Sequence, residues 1–357
     1  MIKKILKICG VTVCAAILAA IIYVASVFIS YKRIPDLQPL SAEGAPSAES
    51  LSAGQEYTIA TQNVGFGAYD QDFTFFMDGG KQSRADDRET VIKDINMAAG
   101  ELLSFDPDFV LFQEVDTDST RSYHTDQEHL LSSAFEGYCH VFAFNYNSAF
   151  LMYPPLQPHG RSNSGILTLS KIGISSSIRR SLPVSTDAKK ILDLDRCYSV
   201  SRIPVDNGKE LVLYNIHASA YGSSEEVRKG QMTMFLNDMK SEYDKGNYCI
   251  CGGDYNHDFT GDSKMYFMSG DLDSVGWAQP FPTEFLPEGI RQCLDYDNEE
   301  PVPTCRNCDV PYGPDCSVVI VDGFIVSDNI SCLWLRNVDT AFTYSDHNPV
   351  VMKFELK

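Results

Sequence analysis

The fold turns on NYCICGGDYNHDF, residues 247–259. Tyr248 to Cys251 is an apolar, strand-like run, and Gly252 and Gly253 follow it. Asp254, Tyr255, Asn256, His257 and Asp258 then come at once. Glycine tolerates tight turns and close backbone approach, so the pair can end a strand abruptly. A buried strand thereby delivers carboxylate, amide and imidazole groups to its rim. Asp, Asn and Gly after a strand are also ordinary turn formers, so this stretch needs company before it implies chemistry.

Working outward, β-rich runs surround it: YTIATQNV (57–64), DFVLFQEV (108–115), SGILTLSK (164–171), CYSVSRIPV (197–205) and ELVLYNIHA (210–218). SVVIVDGFIVS (317–327), ISCLWLRNV (330–338) and NPVVMKFEL (348–356) complete them. Residues 88–105 carry helical spacing, with Val91, Ile95, Ala98 and Leu102 on one face. Residues 222–246 read as a capped helix, with Ser223 and Glu226 as a capping box and Gly246 as its stop. Residues 259–316 read as a long loop. Many strands follow one another without a helix between them. The fold class is therefore α/β: a four-layer αββα sandwich of two mostly antiparallel sheets with helices outside.

The amino terminus is different. Ile8 to Ser30 is 23 residues without a charge. At 1.5 Å per residue it spans roughly 34 Å, enough to cross a bilayer with some tilt. A cleavable signal has a shorter apolar core, so one transmembrane anchor at 8–30 is the expectation. Lys3, Lys4 and Lys7 precede it, and Lys32 and Arg33 follow. The positive-inside rule then favours residues 1–7 as a cytoplasmic stub and the bulk of the chain outside the cytoplasm. Residues 31–55 are rich in Pro, Ser, Ala, Gly and Glu, and read as a flexible linker. The folded domain is expected over 56–357.

The net charge is −19, and residues 1–30 hold three lysines and no acid, so the remainder carries 26 basic and 48 acidic residues. A duplex-binding surface usually shows as a basic excess. Nucleic acid is possible as a partner but not favoured by this charge.

Chemically capable residues recur at strand ends. Asn63 ends TQN, Glu114 ends LFQE, His217 ends YNIH, and Asp254 and Asn256 end the opening stretch. Asp346 and His347 precede the last strand, and Asp322 sits between VVIV and GFIV. A buried acid needs a partner, and His347 is the candidate. Each residue alone has a bland reading as a turn former, strand terminus or packing histidine. Converged on one rim, they offer hard oxygen donors beside two imidazoles. That set suits Mg²⁺ or Mn²⁺ rather than zinc, and metal-assisted phosphoryl transfer to water.

TQNVG, LFQEV, YNIH, GGDYN, VDGFIVS and SDHNPV, in this order, resemble the endonuclease/exonuclease/phosphatase superfamily with its deoxyribonuclease-I-like fold. The motifs span Asn63 to Val350, nearly the whole expected domain. The resemblance implies Glu114 as principal metal ligand, with Asn63 and Asp346 close to the ion and its waters. It implies Asp254 and Asn256 on the attacking side, His347 oriented by Asp322 and acting on the water, and His217 protonating the leaving oxygen. Either Asp254 or His347 serves as base. IHASAY after Asn215 departs from the exonuclease III group, and a second acid behind His217 is not identifiable. The implied activity is a metal-dependent phosphodiesterase of unassigned substrate class. A nuclease and a catalytically silent phospholigand-binding module are the alternatives.

Asn163 and Arg196 are further candidates for substrate contact, since guanidinium and amide groups suit phosphate. Arg161 carries the same weak signal. Cys293, Cys305, Cys308 and Cys316 suggest a disulfide-stapled loop, a small zinc knot or free thiols.

Overall fold

The computed structural model describes residues 2–30, 33–185, 195–220, 224–263, 266–267, 275–294 and 302–357. Helix α1 (Ile2–Ser30) precedes β1 (Gln38–Leu40), β2 (Glu43–Gly44) and β3 (Glu56–Asn63). Next come α2 (Arg88–Leu103), β4 (Phe109–Asp116), α3 (Gln127–Ala134), β5 (Cys139–Asn147) and β6 (Asn163–Ser170). β7 (Ser176–Ser181), β8 (Cys197–Pro204), β9 (Glu210–His217), α4 (Glu225–Asp244) and β10 (Tyr248–Asp254) follow. The chain ends with β11 (Ile290–Gln292), β12 (Cys305–Arg306), β13 (Val318–Val319), β14 (Asp322–Ser327), β15 (Ile330–Asn337) and β16 (Val350–Leu356).

The strands form two seven-stranded sheets, ordered β1-β7-β8-β9-β10-β14-β11 and β15-β16-β3-β4-β6-β5-β2, with β12 and β13 paired separately. Among the strands of the described residues, β9–β10 and β3–β4 pair in parallel and the other pairs are antiparallel. Strands β4, β9 and β10 are buried along nearly their whole length, because both faces of each sheet are covered. Ile59, Leu111 and Met352 meet Leu213, Ile250 and Phe324 between the sheets. Val91, Ile95, Leu102 and Leu131 of α2 and α3 pack on Val110, Phe112 and Val351. Met232, Phe235 and Met239 of α4 pack on Tyr214, Cys249 and Ile325. The four expected layers are therefore present.

Helix α2 buries the four apolar residues expected of it, and Asp87 caps it by accepting Thr90 N at 2.7 Å. The cap of α4 is Ser224, which accepts Val227 N at 3.3 Å, one residue after the expected Ser223. Ser223 itself lies outside the described residues. Gly246 ends the helix at φ +84°, as its position requires.

Two expectations fail. The segment read as a flexible linker is tied down over its described residues, 33–55. β1 pairs with β7 at the edge of one sheet and β2 with β5 at the edge of the other. Leu51 is fully buried between the sheets, and its N–H donates to Pro204 O at 2.8 Å. Composition suggested a tether, but the backbone groups of two open sheet edges supply the binding energy. The 259–316 loop is also interrupted, since β11 adds to β14 and β12 pairs with β13.

Helix α2 also buries Asp94 at 1% exposure. Its carboxylate meets Lys93 Nζ at 3.3 Å, and burial pushes its pKa up to about 7. A raised folded-state value means that stability is lost as pH rises from the unfolded value through about 7. Asp94→Asn should therefore raise the melting temperature by about 2–4 °C at pH 8 and leave it nearly unchanged at pH 4, measured by thermal circular dichroism.

Candidate active site

Strand register brings the site together. In β9–β10 the residue opposite Asp254 is His217, and in β10–β14 it is Asp322. Three adjacent strands thus end in one row of functional groups. On the facing sheet, β3 ends with Asn63 opposite Gln113. The β4–β6 ladder shifts register between Phe112 and Val115. Glu114 falls in that irregularity with φ +55°, a strained conformation for a glutamate. The bulge re-aims its side chain to the strand end.

Two glycines make the approach possible. Gly253 has φ +143°, and a Cβ there would lie 2.1 Å from Ile216 O. Gly65 has φ +50°, and a Cβ there would lie 2.7 Å from Asp346 Oδ1.

The side chains then lock to one another. His347 Nδ1 lies 2.8 Å from Asp322 Oδ2. Thr304 Oγ1 accepts from Val321 N at 2.9 Å and Asp322 N at 3.1 Å, which fixes the acid. Asp254 Oδ1 accepts from Asn256 N at 2.8 Å, and Asp254 Oδ2 lies 3.4 Å from His217 Nε2. Asn63 Nδ2 donates to Asp254 Oδ2 at 3.2 Å and to Glu114 Oε1 at 3.4 Å.

All of this faces one cavity of about 410 Å³. Glu114, His217, Asp254, Asn256, Asp346, His347 and Arg196 line it. Asn63 and Asp322 lie just beneath, each 1% exposed. Asn163 does not line the cavity, which meets β6 at the next residue, Ser164. Asn163 begins β6 opposite Asn147, and its backbone N–H donates to Ser119 Oγ at 2.8 Å. Arg161 is likewise absent from the wall, its N–H donating to Thr120 Oγ1 at 3.1 Å.

Sequence reasoning missed Asn145. Its Nδ2 lies 3.3 Å from His217 Nδ1, where the second acid was sought. An amide N–H donates, so Nδ1 is the bare nitrogen and Nε2–H faces Asp254. The signal was an amide within the FAFNYN strand that is 2% exposed. Arg121 was missed too. It holds Asp116 through two bonds of 2.9 and 3.0 Å and reaches to 4.0 Å from Glu114.

The two histidines are driven apart. Burial lowers His217 well below the usual imidazole value, and the positive Arg196 and His347 add to this. Burial opposes charging of His347 as well, but the Asp322 carboxylate outweighs it and raises the value. Asp254 is raised, first by burial and then by Asp322. One imidazole is thus neutral and the other charged in the same cavity.

The oxygen donors fit a divalent cation. Asp346 is raised by burial, with His347 pulling it down and Glu114 pushing it up. Glu114 and Asp346 line the same cavity, and two carboxylates on one wall suit a hard cation. Asp254, Asp322 and His347 form a second buried cluster, with ligand atoms within 4.8 Å of one another. Asp322 Oδ2 and His347 Nδ1 are spent on each other, so Glu114 and Asp346 are the freer donors.

The sequence family described as the Endonuclease/Exonuclease/phosphatase family matches residues 60–347. The chain belongs to this family. Its members are phosphoesterases. No curated protein matches the chain by sequence. Among solved structures, an endonuclease/exonuclease/phosphatase from Beutenbergia cavernae is 15% identical with TM-score 0.54, over 85% of this chain and 72% of that one. ANGEL2, a 2′,3′-cyclic phosphatase solved with adenosine-2′,3′-vanadate, is 15% identical with TM-score 0.55, over 89% and 98%. D. rerio TDP2, solved with a single-strand DNA product, is 16% identical with TM-score 0.52, over 84% and 99%. At such identities the likeness is one of fold.

The expected staple in the cysteine-rich segment is not formed. Cys305, Cys308 and Cys316 are buried free thiols, and Cys293 is buried in the core between the sheets. Cys305 Sγ donates to Arg306 O and Cys316 Sγ to Asn307 O, so packing and separate carbonyls satisfy them.

Gly253→Ala should cost about 2–4 kcal/mol in urea unfolding, because the methyl group would meet backbone rather than a mobile side chain. A cost below the noise of the measurement would show that the strand end can relax.

Proposed function

We propose that the chain is a divalent-metal-dependent phosphodiesterase, working through in-line attack of water on a phosphoester. The observation that carries this is the His347–Asp322 pair beside Asp254 and His217 in one cavity. Glu114 would hold Mg²⁺ or Mn²⁺, with Asp346 and Asn63 completing its surroundings. When bound, the ion neutralises growing phosphoryl charge and lowers the pKa of water.

The protein's own groups divide the remaining work. Asp254, whose proton affinity is raised, takes the proton of the attacking water. Asn256 and Arg196 orient the phosphoryl group. His347, kept charged by Asp322, donates where negative charge develops. His217 keeps its neutral Nε2–H on Asp254, held in that tautomer by Asn145, and so orients the base. The motifs alone leave the base open between Asp254 and His347, and the opposite charge preferences of the two favour Asp254.

Two measurements check this. Hydrolysis of bis-p-nitrophenyl phosphate should require Mg²⁺ or Mn²⁺ and stop with chelator. Asp254→Ala and His347→Ala should each lower kcat/KM by at least about 10². The parent kcat/KM should fall on the acid side as Asp254 gains its proton and on the alkaline side as His347 loses its own. His347→Ala should lack the alkaline limb. Near-parent rates in both variants would remove the assignment.

Helix α1 is long and apolar enough to cross a membrane. We read it as a single-pass anchor with the catalytic domain outside the cytoplasm, on the lysines before it. Protease added to intact cells should digest the domain, and protection would reverse the orientation.

A further inference from the structure

Residues 148–158, SAFLMYPPLQP, make up most of the connection from β5 to β6 and contain no charge, in a chain of net charge −19. Phe150, Met152, Tyr153 and Leu156 are exposed at 48%, 56%, 66% and 101%. Four large apolar side chains on one short loop make a patch of the kind that marks an interaction surface. The base of the loop is firmly built. Leu151 and Gly160 exchange backbone bonds of 2.9 and 3.0 Å, and His159 N donates to Tyr153 O at 3.1 Å. The exposure therefore belongs to an ordered turn.

What covers the patch is indicated by its neighbour. Tyr23 of α1 donates its hydroxyl to Phe150 O at 2.9 Å and accepts from Met152 N at 3.0 Å. Tyr23 is half-buried, and Val27, one turn on, is the only buried residue among the described side chains of the helix. The loop thus rests on the apolar helix itself. Tyr23 lies about 10 Å short of the Ser30 end at 1.5 Å per residue. That is the depth at which interfacial apolar groups sit below the headgroups, and tyrosine is common there. Loop backbone at that depth needs its polar groups satisfied internally, and the Tyr23 hydroxyl serves one carbonyl and one amide.

The same loop borders the cavity. The Tyr153 ring is 5.8 Å from Phe76, and Phe76 is 6.0 Å from His159. His159, Phe75 and the exposed Met77 line the cavity wall. The apolar surface therefore runs from α1 across the loop to the cavity.

We infer that residues 148–158 are seated in the bilayer that holds α1, so that the cavity opens at the membrane surface and takes a phosphodiester carried by a lipid. This rests on the phosphodiesterase and anchor readings above. The acidic domain would be repelled by anionic lipid, so the lipid is zwitterionic.

The test uses the full chain reconstituted in phosphatidylcholine vesicles with brominated or plain acyl chains. Leu156→Trp should add an indole whose fluorescence is about twofold lower in the brominated vesicles, beyond the parent background of Trp277 and Trp334. Equal fluorescence in both would place the loop in water and overturn the inference. Met152→Asp with Leu156→Asp should leave bis-p-nitrophenyl phosphate hydrolysis within about twofold of the parent. The same variant should lower headgroup release from phosphatidylcholine, phosphatidylethanolamine or sphingomyelin vesicles about tenfold. A parent that hydrolyses the soluble diester but none of these lipids would overturn the substrate assignment. Failure on the soluble diester too would remove the phosphodiesterase reading, and the quenching result would still decide the seating of the loop.

Discussion

Burying charge at the ends of two packed sheets is the constraint that organises this molecule. Asp254 and Asp322 are each 1% exposed and lie opposite one another in the ladder. Two neighbouring carboxylates without water are tolerable only beside compensating charge and hydrogen bonds. His347 supplies the charge through Asp322, and Asn63 and Asn256 supply the bonds through Asp254. Those residues come from the end of β3, the loop before β16 and the turn just after β10. The cluster therefore exists only when both sheets are assembled, and it ties the chemistry of the site to the completeness of the fold.

A second buried polar contact sets how the sheets face each other. Gln113 Nε2 donates to Asn215 Oδ1 at 2.8 Å, and Asn215 Nδ2 donates to Phe112 O and Leu167 O. Apolar packing between sheets is non-directional. An amide pair in the middle of it admits few alignments. It also sits directly behind Glu114, whose strained backbone needs firm surroundings to persist.

Much of this was legible in the sequence because strand ends leave local marks. An apolar run followed by Asn, Glu, His or Asp can be read one strand at a time, and the six motifs fixed the order. Register across β9, β10 and β14 then converted separate marks into one row. Asn145 was harder to see, because its partner His217 is 72 positions away and nothing nearby announces the pairing. Asn163 misled for a related reason: one residue along a strand changes the face, and Ser164 took the wall. The strap was misread because its composition is that of a solvated chain. Its order comes from hydrogen bonds to strands far away, which composition cannot carry.

That strap has a mechanical meaning. Ser181 N donates to Asp36 Oδ1, Arg179 donates to Pro35 O, and Gly54 N donates to Leu356 O. A loose leash would let the sandwich tumble freely about the end of the helix. A chain stitched to both sheet edges instead acts as a bracket, with a single preferred attitude between the apolar helix and the sandwich. On the anchored reading proposed above, such a body would search in two dimensions, and only encounters from one direction would meet its cavity.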